Sequence, residues 1–357
     1  MRGYNVLIPD VSRRWLPAIT LPLMDALQAL GHTPVTLNMV SINNMYRQLR
    51  YQRRGCYEIF QFYLKDIVSK GHIDFGLSPG LGIVLEDPQK QEAHHLLEEC
   101  GVPNILYLHG RTADAARKLE SLDAASWRHT VIASSSAALL GHLSEVDQGR
   151  ALHVSPGTSL RIYYPAADPP ADAPYPLLSD DERLAGGFEV CFAGSHSPGR
   201  ERLLAALDDA GVALAVFGDK AWQNSAVAQL WRGQVNYLTE LNTVYNSSAI
   251  VLDLPHEDCE LEDYVSTRLP DCLASGSLLL TYGRPGLGRL MAAGEEAAVF
   301  DGETQLVESA RHYLANPAER ESLAARGRRR AAAEHGWADR VGQLLPALEL
   351  QLLSTAV

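Results

Sequence analysis

Two stretches carry residues whose types and spacing suit an anionic ligand. In the first, the apolar run Phe188 to Phe192 leads into Ala193-Gly194-Ser195-His196-Ser197-Pro198-Gly199-Arg200. Small residues after a strand let a ligand approach the backbone, and a following helix start with Arg200 on it favours a phosphate. The next apolar run closes on Val216-Phe217-Gly218-Asp219-Lys220, again small and charged where a ligand would sit. Each loop alone also reads as an ordinary strand-to-helix turn, which glycine suits in any case; together they point to a site. The second stretch runs from Glu257 to Gly276. Glu257, Asp258, Glu260, Glu262 and Asp263 crowd a loop, and a helix then begins near Ser266-Thr267-Arg268-Leu269-Pro270-Asp271. Asp263 falls in the loop and Asp271 on the first turns of the helix. A helix carboxylate facing a cleft can accept both hydroxyls of a ribose. The plainer alternatives are a solvated acidic loop and, for Asp271, a charge complementing the helix dipole.

A third group, Arg47, Arg50, Arg53 and Arg54 with Tyr46, Tyr51 and Tyr57 interleaved, reads as a docking face for an anionic or planar acceptor or as a solvated basic face. Arg326, Arg328, Arg329 and Arg330 read as cations near a helix carboxyl end. Over the 357 residues, 31 Lys and Arg stand against 43 Asp and Glu, a formal net charge of -12, which argues against a general nucleic-acid or anionic-membrane binder. Cys56, Cys100, Cys191, Cys259 and Cys272 are scattered, with no C-x-x-C pair for zinc or redox work and no even set for a disulfide frame. No compact His/Asp cluster suggests a metal site. No G-x-G-x-x-G follows the first strand, which makes a dinucleotide oxidoreductase the weakest option. Met1-Arg2-Gly3-Tyr4 runs straight into a strand-like stretch without a signal-peptide pattern, and no apolar run approaches the roughly 18 residues of a membrane span. The expectation is a reduced, soluble, cytoplasmic protein.

These residues must be positioned by an α/β framework. Short apolar runs alternate with helical periodicity along residues 1–165, with glycines at the junctions, and the alternation resumes from Phe188. Between them Ala166-Ala167-Asp168-Pro169-Pro170-Ala171-Asp172-Ala173-Pro174 has no periodicity and reads as a linker. The sequence thus predicts an N-terminal domain over 1–165, a linker over 166–187, a C-terminal domain over 188–337, and a helix over 338–357 that packs back on the first domain. In such sheets ligands bind beyond the carboxyl ends of the strands, here expected to line a cleft between the two domains.

The second half also carries an ordered series of motifs. A strand-Gly-Ser turn followed by Arg spans Phe192 to Arg200, and Tyr237, Glu240, Leu241 and Tyr245 form a Tyr-x-x-Glu-Leu-x-x-x-Tyr stretch. Arg268-Leu269-Pro270-Asp271 precedes Ala274-Ser275-Gly276 and the leucine-rich Ser277 to Thr281. Gly294-Glu295-Glu296, Asn316 to Arg320, Gly327, Arg330 and His335 complete it. This series resembles GT-B glycosyltransferases, most closely those related to the spore-maturation protein CgeB, over nearly the whole second domain; the first domain matches in layout only. Both motif glutamates are aspartates here, Pro270 replaces the usual aromatic residue, and the first strand ends Pro9-Asp10-Val11-Ser12-Arg13-Arg14 without paired glycines.

The resemblance implies a GT-B fold, two Rossmann-like α/β domains facing across a cleft. It implies transfer of a sugar from a nucleoside-diphosphate sugar, in the commonest case a UDP-sugar, without a metal or other cofactor. The acceptor is unidentified: a glycan, a protein, a lipid-linked sugar or a small molecule. The donor-side residues implied are Gly194, Ser195, Arg200, Lys220, Tyr237, Ser266, Thr267, Arg268 and Asp271, with Asp271 on the ribose and Arg268 with the Ser266-Thr267 backbone near the diphosphate. Asp263 holds the place of the earlier acid in an E-x7-E pattern and leans towards retention. His109, in Tyr107-Leu108-His109-Gly110, matches a histidine that contacts the donor sugar, or is a structural histidine at a strand end. An inverting enzyme would need a base such as Asp10, His109 or Glu86. Two rivals keep the fold: a sugar-nucleotide epimerase or hydrolase, which needs no acceptor, and a non-catalytic nucleotide-sugar-binding protein.

Overall fold

Short strands joined through helices pair in parallel, because a parallel neighbour requires a crossover connection. The computed structural model describes residues 3–10, 17–38, 62, 65–70, 72–79, 98–108, 128–143, 150–256, 263 and 265–355. It divides into two units, Met1–Ser155 with Trp337–Val357, and Pro156–Gly336.

The first unit holds β1 (Asn5–Asp10), β2 (Thr33–Asn38), β3 (Phe75–Pro79), β4 (Asn104–Leu108), β5 (Thr130–Ser134) and β6 (Ala151–His153). They form one parallel sheet in the order β2-β1-β3-β4-β5-β6. Every residue of β4 and β5 is buried, as both faces of a central parallel strand should be. Helix α1 (Pro17–Ala29) lays Leu23 and Leu27 on Val6, Ile8 and Phe75, and a short α2 (Ala137–Leu140) follows β5.

The second unit begins at Pro156, within the 1–165 that the sequence assigns to the first domain, and takes in the 166–187 stretch read as linker. That stretch is tied down: the Ala166 amide donates to Asn246 Oδ1 (2.7 Å), the Leu178 amide donates to Thr243 Oγ1 (2.9 Å), and Arg183 pairs with Glu240 (2.8 Å) from the short helix α3 (Glu182–Ala185). Strands β7 (Val190–Ala193), β8 (Leu214–Phe217), β9 (Ile250–Asp253), β10 (Leu278–Tyr282) and β11 (Ala298–Phe300) form a parallel sheet ordered β11-β10-β9-β7-β8. Alternation along β7 sends Cys191 and Ala193 to one core and Val190 and Phe192 to the other. Helices α4 (Pro198–Asp209), α5 (Leu241–Asn246), α6 (Arg268–Ser275), α7 (Gly302–Ala315) and α8 (Pro317–Glu334) cover the two faces, α5 and α6 on the Cys191 side and α4 and α7 on the other.

The chain then returns to the first unit as α9 (Trp337–Thr355). Its Trp337, Val341, Leu344 and Leu348 join the core made by β1, β3, β4 and α1, with Trp337 edge-on to Tyr107 at 6.0 Å. Among the described residues, no helix is long and apolar enough to cross a membrane.

Candidate functional site

In the second unit β8 lies on one side of β7 and β9 on the other, so the connections after β7 and β9 part in opposite directions. Such a reversal opens a crevice at the carboxyl ends of the strands. The turn after β7 starts α4 cleanly: Ser197 caps it, accepting the Arg200 amide, and Pro198 fills the first position, where no N–H is needed.

Arg200 spans this crevice. Its Nη1 donates to the Ser195 carbonyl (2.9 Å) and to Ser195 Oγ (3.1 Å), on the β7 side. On the β9 side its Nη2 donates to the Leu254 carbonyl (3.0 Å) and its Nε to the Pro255 carbonyl (3.1 Å). A buried guanidinium engaged by three carbonyls ties two loops together. The turn after β8 lies equally close. The Gly194 amide donates to the Phe217 carbonyl (2.9 Å), the Gly194 carbonyl accepts Trp222 Nε1 (2.9 Å), and a Cβ on Gly218 would sit 2.0 Å from Gly194 O. Only glycine permits that approach.

The charged centre is Asp253, the last residue of β9 and only 1% exposed. Its Oδ1 accepts Arg268 Nη1 at 2.8 Å, and its Oδ2 accepts Arg284 Nη2 at 2.5 Å and Thr281 Oγ1 at 3.0 Å. Both arginine side chains are nearly buried, at 12% and 10% exposure. Burial alone would raise the Asp253 carboxyl; Arg284 and Arg268, the Thr281 hydroxyl and the charge of Arg200 together hold it below the ordinary carboxylate value. Arg268 also opens α6, its amide donates to Ser266 Oγ (3.2 Å), and its guanidinium lies 5.3 Å from the centre of the Phe192 ring. A side chain at Gly194 would come within 2.9 Å of Arg268 Nη2. The small turn after β7, the start of α6 and the arginine pair therefore share one place. Pro270 sits in the first turn of α6, where it is tolerated, and Gly276 ends the helix in the left-handed conformation at φ +80°.

Other expected residues fall nearby or apart. Ser266 and Thr267 lead directly into α6, half-buried. Asp271 is also on α6, but its Oδ1 accepts the hydroxyl of Thr158 (2.7 Å). Burial pushes its carboxyl up to about 8, while the Thr158 hydrogen bond and Arg268 pull the other way. Asp263 is buried and faces Arg289 (3.6 Å), with its carbonyl against Gly286 of the turn Pro285–Arg289. Lys220 is exposed at the start of the 3-10 turn after β8, where Asp219 accepts the Ala221 amide (3.0 Å). Tyr237 packs on the α5–α6 core, its carbonyl accepting the Tyr163 hydroxyl (2.8 Å). Asp10 closes β1, with its side chain outside the described residues. His109, Glu86 and the Arg47 to Tyr57 group also lie outside them. Among the described residues, no three His, Cys, Asp or Glu are grouped to hold a metal ion.

Asp253, Thr281, Arg284 and Thr158 were not among the residues singled out from sequence. The signal for Asp253 was present: a lone acid closing the otherwise apolar run Ile250-Val251-Leu252. Such a buried charge needs a partner.

Residues 200–346 match the family model described as glycosyl transferase-like. Among solved structures, sucrose-phosphate synthase from Thermosynechococcus elongatus superposes with a TM-score of 0.64 at 17% identity, covering 98% of this chain and 100% of that one. A glycosyltransferase from Rickettsia africae ESF-5 gives 0.68 at 11% identity, covering 99% of each chain. Anabaena HepE, solved in complex with UDP and glucose, gives 0.62 at 12% identity, covering 97% and 100%. The fold is GT-B. In this GT-B protein the glycosyl transferase-like match begins at Arg200 and takes in Asp253, Arg268 and Arg284. Among curated proteins none matches the chain.

Proposed function

We propose that the protein transfers a sugar from a nucleoside-diphosphate sugar to an acceptor, with the donor held by the second unit. The observation that carries this reading is the Asp253-bound pair Arg268 and Arg284 at the carboxyl edge of the sheet, beside the start of α6 and the small turn after β7. Paired guanidinium groups in a desolvated place are suited to the charge that grows on a departing diphosphate. UDP is the first donor nucleotide to test, because HepE, of the same fold, binds UDP and glucose. The motif series of the second half supports placing the chain with CgeB-like enzymes.

In this mechanism the bond between the sugar and the diphosphate breaks, and its electron pair leaves with the nucleotide. Arg268, Arg284 and the Ser266-Thr267 backbone leading into α6 stabilise that charge, which removes the need for a metal ion. Arg200 fixes the loops after β7 and β9, and the missing side chain of Gly194, next to Ser195, leaves room beside Arg268 for a phosphate. Asp271 serves the ribose and Asp263 approaches the transferred sugar. Lys220 and Tyr237 border the donor, and His109 and Asp10 are further catalytic candidates. The protein works in the cytoplasm on a glycan, protein, lipid-linked or small-molecule acceptor.

The test is a thermal-shift screen of nucleoside diphosphates and their sugars with and without magnesium, followed by product analysis. A ligand at 100 times its dissociation constant adds about 2.7 kcal/mol to stability. The reading expects one nucleotide to stabilise selectively, magnesium to add nothing, and Arg268→Gln to abolish the shift. Sugar release without acceptor would replace transfer by hydrolysis or epimerisation. Binding without turnover would leave a binding protein, and no response to any nucleotide would sink the donor site.

A further inference from the structure

Arg268 and Arg284 come from different elements, the first residue of α6 and the segment after β10, and nothing in the backbone makes their guanidinium groups meet. They meet on Asp253. One oxygen takes Arg268 and the other takes Arg284, with the Thr281 hydroxyl sharing the second oxygen (3.0 Å) and so fixing the rotation of the carboxylate. Thr281 lies beside Asp253 in the β9–β10 pairing, so the sheet itself sets this contact. The carboxylate is inside the protein, at 1% exposure, and cannot itself reach a bound ligand, whereas the two arginine side chains keep some surface open.

We propose that Asp253 is a positioning residue that aims Arg268 and Arg284 as a matched cationic pair at the diphosphate of the donor. This rests on the donor reading above and adds the group that orders its cations. A carboxylate can direct two guanidinium groups because each oxygen fixes the direction of one N–H donor; an amide at the same place offers only one acceptor and turns a donor towards the other arginine. The two arginines then act as a unit, and losing Asp253 costs diphosphate affinity through them.

The experiment uses inorganic pyrophosphate as the probe, so that neither the base nor the sugar needs to be known. Calorimetric dissociation constants are measured for the full-length wild type, Asp253→Asn, Arg284→Gln and the double variant. Each single change is expected to weaken pyrophosphate by about ten-fold, and the double variant to be no weaker than the worse single one, because the groups act together. Losses that multiply, or an unchanged constant in Asp253→Asn, would overturn the proposal: the first would show that Asp253 and Arg284 act separately on pyrophosphate, the second that the carboxylate serves stability alone. If Asp253→Asn fails to fold, Asp253→Glu keeps the charge and shifts it by one methylene. It too is expected to weaken pyrophosphate, and wild-type affinity in it overturns the idea. Sugar transfer by the wild type with multiplying losses defeats the positioning role alone. Coupled losses without any sugar turnover leave it standing and defeat the transferase reading. A wild type that binds neither pyrophosphate nor any nucleoside diphosphate defeats both.

Discussion

At the scale of single residues, the second unit holds two acids that neighbouring charges and burial treat in opposite ways. Asp253 is held charged by its arginines, and Asp271 is driven towards its neutral form. Asp271 has an ordinary value of 3.8 and about 8 in the folded chain, so folding keeps a proton that the unfolded chain gives up. Its contribution to stability is full below pH 3.8 and is lost as pH rises towards 8. Asp271→Asn, which cannot lose a proton, should therefore gain on the wild type steadily from pH 4 to pH 8 in unfolding midpoint; parallel curves would show that the carboxyl ionises normally. Tyr245 offers a second test. Among the described residues its fully buried hydroxyl has no hydrogen-bond partner. Tyr245→Phe should keep the fold and raise stability by about 1 kcal/mol in denaturant titration, because an unsatisfied buried hydroxyl costs about that. Of this site, Arg268 and Asp271 were legible as motif members, but their partners were not. Asp253 with Arg284, and Asp271 with Thr158, are 31 and 113 positions apart, and only the folded sheet brings such pairs together.

At the scale of elements, the strand-turn-helix after β7 was readable because each part has a local cause: an apolar run, a glycine, a capping serine and a proline at the helix start. What spacing could not supply was the contact between turns. Gly218 looked like an ordinary turn glycine, yet its missing side chain is what lets Gly194 and the β8 loop touch. Gly218→Ala should cost at least about 2 kcal/mol, through forced separation of the two loops, and should weaken diphosphate binding as well. An alanine variant with wild-type stability in calorimetry would mean that the loops yield easily. Arg200 shows the same limit in another form. A cation at a helix start suggested direct phosphate binding, whereas the carbonyls of Ser195, Leu254 and Pro255 engage its donors. Its contribution at this scale is to hold two loops at one spacing.

At the scale of the whole molecule, the alternation of apolar runs and helices made two parallel sheets legible, since the pattern repeats locally along each half. The strand orders were not legible, because periodicity says which residues are buried and not which strand lies beside which. The apolar face of α9 is the first unit's to use: Trp337, Val341, Leu344 and Leu348 lie in the core around β4. Trp337→Ala should cost about 3–5 kcal/mol, and in calorimetry it should lower the transition of the first unit while leaving that of the second in place. Loss of both transitions together would show that the units unfold as one. This exchange of a helix also orders events on the ribosome. The second unit is one uninterrupted segment, Pro156–Gly336, and can close as it emerges, whereas the first must wait until α9 has been made. At ordinary elongation rates that wait is about ten seconds or more. The half made first is thus finished last, and its sheet stays without the apolar face of α9 until the chain is nearly complete.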